Sequence, residues 1–238
     1  LSPLMQVALR EIFPANVSDK SVWFALRVLQ AGVAYLVLYW VVFSVTGGRL
    51  RALAATALVT FAYAWTPLSH PWEYTSDFLD ILFMSLFIGL AHAERSIVLT
   101  FVVIVAATNR ESAAFAGVIW IALATVRYGP WPEEWRRFAW GMFYIVLATA
   151  IVVALRVWLS ADYRPKQNVG LWVALREWRW ILHPDGAFPL LIAMAASFFA
   201  LLRGLPRLWT TDQVGLGLAA AVVLVFCLVF GIFGELRV

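Results

Sequence analysis

The feature that most constrains this chain is a polar triplet, Asn109-Arg110-Glu111, placed between two apolar runs, Ser96 to Thr108 and Ser112 to Val126. A single helix through both runs would have about 31 residues and a length of roughly 46 Å, which fits a bilayer of about 30 Å only with strong tilt. Charged residues at membrane depth are costly unless they are paired, hydrated or functional. We therefore expect a helix break near Asn109, with two short helices meeting at a polar turn.

Composition places the whole chain in the membrane class. Hydrophobic residues make up 63% of the sequence and charged residues 13%, against roughly 25% charged residues in soluble domains. The 13 tryptophans are typical of a protein with many helix ends at headgroup level. The sequence predicts an all-α, polytopic transmembrane helical bundle with about seven or eight membrane helices, some of them short or broken.

Other apolar runs and two amphipathic segments complete this expected bundle. The runs predicted to span are Val22 to Val45, Ala52 to Trp65, Ser76 to Ala93, Phe138 to Trp158, Ala187 to Leu202 and Val214 to Phe233. Segment 160–186 alternates tryptophans with charged residues, which predicts a helix lying in the outer interface. Pro3 to Ile12 is also amphipathic and too short to span.

Loop charges predict the orientation. Arginine-rich short loops alternate with loops that hold few cations, and by the positive-inside rule the arginine-rich set is cytoplasmic. These arginines are Arg49, Arg51, Arg95, Arg127, Arg136, Arg137, Arg203 and Arg207. The chain begins with Leu1 and ends abruptly at Val238. We therefore expect residues 1–238 to be a single transmembrane domain that lacks an N-terminal helix and a C-terminal extension.

Arg110 admits two interpretations. In the first, it pairs with Glu111 or Asp77 and stabilises the helix break, or reaches toward headgroups. In the second, its guanidinium binds an anion such as a lipid phosphate, with Asn109 and Glu111 orienting it. Asp77 and Asp80 lie three residues apart on one helix face, where they stabilise the helix dipole or act as a general base or metal ligands.

The sequence offers no further chemical motif. It has no phosphate-binding glycine loop, no nucleophile elbow and no His-Glu-x-x-His pattern. Cys227 stands alone, and His70 and His183 each precede a proline without a second histidine at ligand spacing, so no metal site built from cysteine or histidine is predicted. The formal charge of +4 is not concentrated in a basic block, so a nucleic-acid partner is not expected.

Three motifs together resemble a known group of membrane proteins. They are Tyr74-Thr75-Ser76-Asp77-Phe78-Leu79-Asp80, Thr108-Asn109-Arg110-Glu111-Ser112 and Gly234-Glu235-Leu236-Arg237. This set resembles bacterial polytopic proteins with an Asn-Arg-Glu-Thr/Ser motif, which are similar to GT-C-type glycosyltransferases that use polyprenyl-phosphate sugars. The resemblance implies a GT-C-like helical domain in the bacterial inner membrane, with its active site facing the periplasm.

The resemblance extends to the positions Asp77, Asn109, Arg110, Glu111, Glu235 and Arg237. The hypothesis of sugar transfer from a lipid phosphate gives roles to these residues and to Asp80. Asp77, Asp80 or Glu111 would act as base or metal ligand. A lipid phosphate would be bound by Asn109, Arg110, Glu235 and Arg237. The acidic residue that such enzymes commonly carry in their first outer loop has no clear counterpart in this sequence. The resemblance leaves open whether a divalent metal ion is required. Membrane lipids and a polyprenyl-phosphate sugar are the expected partners.

A second hypothesis belongs to another class of protein. The chain would be a non-catalytic subunit of a larger membrane complex, with its polar turn serving packing alone. The tryptophan-rich segment 160–186 and the short spans suit an interface with other membrane subunits as well as they suit an enzyme.

Overall fold

A computed structural model describes residues 18–69, 77–129, 135–159, 214–219 and 222, and all the regular elements in these ranges are helical. They are α1 (Asp19–Thr46), α2 (Arg49–Ser69), α3 (Asp77–His92), α4 (Ser96–Ala107), a short 3-10 helix (Glu111–Ala114), α5 (Phe115–Tyr128) and α6 (Trp135–Leu159). The expected all-α class is confirmed for these residues. The expected interfacial segment 160–186 and the run Ala187 to Leu202 lie outside the described residues, as does Pro3 to Ile12.

Helix α1 is the longest of these helices, and local signals define both of its ends. The hydroxyl of Ser18 accepts a hydrogen bond from the backbone N–H of Ser21 at 3.2 Å, as an N-cap should. Gly47 adopts a left-handed conformation with φ of 66° and its N–H bonds to the carbonyl of Phe43. Glycine adopts this backbone without steric cost and therefore ends the helix.

The predicted helix break near Asn109 is confirmed. Helix α4 ends at Ala107, and the backbone N–H groups of Asn109 and Arg110 both bond to the carbonyl of Ala106. Arg110 is then extended, with φ of −156°, before the 3-10 helix and α5 carry the chain back. At 1.5 Å per residue, α4 is about 18 Å long and α5 about 21 Å long, so each is shorter than a bilayer core.

Helices α3 to α6 form a four-helix unit in which α3 and α6 each contact both α4 and α5. Helix α1 packs on α3, and α2 packs on α1. The centre of the unit is mostly apolar, and the fully buried Tyr144 donates from its hydroxyl to the carbonyl of Ser96 at 3.0 Å. The Trp120 ring meets the Tyr144 ring edge-on at 5.6 Å, so one aromatic pair joins α4, α5 and α6.

Two described helices, Lys20–Thr46 of α1 and Trp135–Leu155 of α6, are long and apolar enough to cross a membrane. Three shorter apolar helices accompany them, so the expected seven or eight spans are not established by helix length. Large apolar side chains are nevertheless exposed on α1, α4 and α6. They include Phe24, Leu36, Trp40, Ile97, Phe101, Val146, Val157 and Trp158. Exposed apolar surface of this extent is typical of a lipid-facing or protein-binding surface.

Helices α5 and α6 approach each other closely at Gly117 and Gly141. A Cβ atom on Gly117 would collide with the backbone oxygen of Gly141 and with the side chain of Ile145. Backbone atoms cannot move aside without separating the two helices. The pair is therefore a contact that requires glycine, in keeping with the use of small residues where membrane helices pack.

We expect Gly117→Ala to lower the free energy of unfolding by about 1–3 kcal/mol, because overpacking at a helix contact forces the backbones apart. Thermal unfolding of the purified chain in detergent measures the effect. The matched control is Gly32→Ala in α1, where a new Cβ would meet nothing within 4 Å. A Gly117→Ala chain as stable as the Gly32→Ala chain would contradict the close contact.

Candidate functional site

Polar side chains gather at one end of the four-helix unit, where α3 begins and the helix break returns the chain to α5. We call Asp80, Asn109, Arg110 and Ser112 the Asp80 cluster. Nη1 of Arg110 lies 2.9 Å from Oδ2 of Asp80, and both side chains are largely buried, at 15% and 12% exposure. Asn109 Nδ2 and Ser112 Oγ each donate to Oδ1 of Asp80 at 3.3 Å. The carboxylate therefore receives hydrogen bonds on both oxygens.

This arrangement gives Arg110 a partner on α3, Asp80, three residues further along the face of that helix than Asp77. The sequence-based pairing of Arg110 with Glu111 or Asp77 stays a prediction, because the side chains of both lie outside the described part of the chain. An ion pair of this kind holds the helix break against α3, because the three donors come from the break and the acceptor from α3. Among the predicted site residues, Asp80, Asn109 and Arg110 are brought together.

The remaining predicted site residues cannot be placed at this cluster by their side chains. Asp77 is the first residue of α3 and Glu111 the first of the 3-10 helix, and the side chains of both lie outside the described part of the chain. Glu235 and Arg237 lie outside the described residues altogether. Among the described side chains, no group of three His, Cys, Asp or Glu residues could hold a metal ion.

A second polar cluster, not predicted from the sequence, lies at the opposite end of the unit. We call Glu94, His92, Arg127, Tyr128 and Arg137 the Glu94 cluster. Nη1 of Arg137 lies 2.6 Å from Oε2 of Glu94 and Nη1 of Arg127 lies 3.3 Å from Oε1. The Tyr128 hydroxyl donates to Oε1 as well. One carboxylate thus joins the turn after α3, the end of α5 and the start of α6.

Further contacts fix the two arginines of this cluster. Arg127 donates from Nη1 to the carbonyl of His92 at 2.9 Å, and its Nη2 lies 2.9 Å from Nδ1 of the same histidine. The Arg137 guanidinium lies 3.6 Å from the centre of the Tyr128 ring, a cation–π distance. Glu94 itself has a left-handed backbone, with φ of 54°. Such a conformation costs a non-glycine residue on the order of 1 kcal/mol and is often found at functional sites.

Two buried polar residues of α1 were also not predicted from the sequence. Arg27 and Gln30 lie three residues apart on one helix face and are 8% and 4% exposed. The sequence does contain a signal for Arg27, because an ionisable residue within the apolar run Val22 to Val45 is by itself a candidate functional residue. The Glu94 cluster gave no comparable signal, since Arg127, Tyr128 and Arg137 lie 33 to 43 positions from Glu94 along the chain.

We expect Asp80→Ala to destabilise the fold by about 3 kcal/mol, because removing one partner of a buried ion pair leaves the other charge uncompensated. Ser112→Ala removes one hydrogen bond of 3.3 Å and should cost about 1 kcal/mol. Thermal unfolding in detergent gives both values. The double variant Asp80→Ala/Arg110→Ala should be more stable than Asp80→Ala alone; additive losses would contradict the coupling.

The pH dependence of stability tests the Glu94 cluster. Burial raises the pKa of Glu94, but hydrogen bonds from Tyr128 and Arg137 and the charges of both arginines outweigh burial and lower it below the ordinary 4.5. The ionised group therefore stabilises the fold fully above pH 4.5, and this contribution is lost as the pH falls through the lower folded pKa. Acid unfolding curves should show this loss for the native chain, and Glu94→Gln should remove it.

Comparison of the chain with protein-family models, with curated proteins and with solved structures gives no match. The function therefore has to be inferred from the two polar clusters, the apolar helices that separate them and the sequence motifs around Arg110.

Proposed function

We propose that this chain is a multi-pass protein of the bacterial inner membrane, with about seven or eight membrane helices in all. The lengths of α1 and α6 and their exposed apolar side chains support a lipid environment. The polar groups also have the distribution that a bilayer demands. They gather at the two ends of α3, α4 and α5, and the core between them is apolar.

The depth of the Asp80 cluster follows from the unequal lengths of the helices. Twelve residues, or about 18 Å, separate Asp80 from His92 along α3. Tyr35 of α1 meets Phe78 at the start of α3, with ring centres 6.1 Å apart, and α1 continues from there for roughly 24 Å toward Asp19. In a core of about 30 Å, the cluster would then lie inside the membrane rather than at its surface.

Within this setting we propose that the chain transfers a sugar from a polyprenyl-phosphate donor at the periplasmic face, as GT-C-type glycosyltransferases do. The observation that carries the proposal is the positioned guanidinium of Arg110, held by Asp80 at a helix break. A fork of N–H donors suits a phosphate group. Positioned cations at a developing charge are a major source of catalysis.

The proposed reaction assigns a task to each predicted residue. The acceptor oxygen bonds to the anomeric carbon of the sugar and loses its proton to a base, while the bond from that carbon to the phosphate oxygen breaks. Arg110 stabilises the polyprenyl phosphate that leaves, and Asn109, Glu235 and Arg237 would complete the phosphate site. Asp80 acts as a positioning residue because its oxygens already accept three donors.

The proton would then pass to another carboxylate. Asp77 at the start of α3 and Glu111 at the start of the 3-10 helix adjoin the Asp80 cluster in the chain. Either would be the general base or, if the reaction uses a divalent ion, its ligand.

A second candidate function is a non-catalytic subunit of a larger membrane complex. The observation that favours it is that the carboxylate of Asp80 already accepts three donors. Three donors from the helix break converge on Asp80, which is sufficient reason for these residues if their only task is to hold α4 and α5 against α3. The exposed apolar face of α6, including Val157 and Trp158, would then contact another subunit.

Arg110→Lys distinguishes these two functions. Lysine keeps the positive charge beside Asp80 but loses the guanidinium fork, so we expect transfer to fall about ten-fold or more while the chain stays folded and inserted. The assay follows the release of polyprenyl phosphate from synthetic polyprenyl-phosphate sugars by the full chain in lipid vesicles.

Arg51→Lys is the matched control, because Arg51 is exposed in the first turn of α2, away from the Asp80 cluster. Transfer that is equal in the Arg110→Lys, Arg51→Lys and native chains would contradict the phosphate role. Native chain that transfers no sugar but purifies with a stable partner would favour the second function.

A further inference from the structure

The Glu94 cluster borders a small, shallow cleft that is open to solvent. Its apolar floor consists of Ala91, Trp120, Leu123 and Ala124, and its polar rim consists of Glu94, Arg127, Tyr128 and Arg137. The floor is rigid, because Trp120 donates from Nε1 to the carbonyl of Arg137 at 2.9 Å. An apolar base with two guanidinium groups at its rim suits a ligand that is both apolar and anionic.

Among the side chains that the structure describes, charge at this end of the unit is predominantly positive. Within the cluster, two arginines face one carboxylate, Glu94, which is the acidic side chain that the described ranges place at the rim. The exposed Arg95 and Arg136 adjoin it in the chain, as do two carboxylates, Glu133 and Glu134, that lie outside the described residues. Basic residues near a membrane surface attract anionic lipids, and basic pockets between membrane helices bind lipid phosphates. In the proposed topology this end faces the cytoplasmic leaflet.

We propose that this cleft binds the phosphate of an anionic phospholipid, with Arg127 and Arg137 as the anion-binding groups and the Trp120 floor contacting the start of the acyl region. Glu94 acts as an internal competitor for the same guanidinium groups. The proposal rests on the membrane location proposed above, but it is independent of sugar transfer, because the cleft lies about 18 Å along α3 from Asp80.

Because Glu94 and the lipid phosphate compete for the same guanidinium groups, the proposal predicts opposite changes in lipid binding for two substitutions. Glu94→Gln keeps the size of the side chain but removes its negative charge, so lipid binding should increase. Arg137→Gln removes a cation from the rim, so binding should decrease. Each change should be about five-fold, the factor expected for one charge near an anionic membrane surface. A purely structural cluster would lose stability in both variants without opposite effects on lipid binding.

The test uses the full chain reconstituted with equal amounts of phosphatidylglycerol and phosphatidylcholine, purified in detergent and analysed for retained lipid by mass spectrometry. We expect the native chain to retain phosphatidylglycerol preferentially, with the ratio raised by Glu94→Gln and lowered by Arg137→Gln. If Arg137→Gln does not fold, the expected gain in Glu94→Gln decides the question.

Arg136→Gln is the matched control. It removes the same charge one residue away, but Arg136 is exposed and lies over the Trp135 ring at 5.7 Å. The lipid ratio should therefore change by less than about two-fold. An equal effect of Arg136→Gln and Arg137→Gln would overturn the cleft in favour of general surface charge.

Two further experiments distinguish a lipid phosphate from a free anion and test the membrane location separately from the cleft. Displacement of the retained lipid by excess inorganic phosphate would overturn the lipid as ligand in favour of a free anion. Release of the chain from membranes by alkaline carbonate would refute the membrane location itself. An integral chain without preference for phosphatidylglycerol would overturn only the cleft.

Discussion

The ion pair between Asp80 and Arg110 is the interaction on which the described fold depends. It joins the first turn of α3 to the break between α4 and α5, and these three helices form the centre of the unit. A break exposes backbone groups that a continuous helix would satisfy internally, which membranes tolerate only where protein or water covers them. The pair therefore stabilises an irregular backbone and, in the same place, positions a cation.

In both polar clusters several donors bind one carboxylate, but the donors differ between the clusters. At the Asp80 cluster, one carboxylate receives a single guanidinium and two neutral donors. At the Glu94 cluster, one carboxylate receives two guanidiniums and a phenol. The first is formally neutral and the second carries one net positive charge, so the end with Glu94 is the more suitable for attracting anionic lipids.

Sequence reasoning predicted the helical class and the break near Asn109, and it named Asp80, Asn109 and Arg110 among the site residues without pairing them. The class and the break follow from local rules of hydrophobic length and from the cost of buried charge. The pairing of Arg110 with Asp80 did not follow, because α3 offers both Asp77 and Asp80 and the choice depends on packing. The Glu94 cluster could not be predicted from the sequence for a similar reason, because its contacts depend on the distances between three helix ends.

In the proposed membrane setting, helices α4 and α5 would each cross the lipid core incompletely, and this would limit the order in which the chain is assembled. Lipid alone would not hold either helix after its synthesis, and Arg110 would need Asp80 of α3 beside it. Both helices also contact α6, which is synthesised later. In that setting the insertion machinery would have to hold the hairpin until α6 is complete, and α3 to α6 would enter the membrane as one cooperative unit.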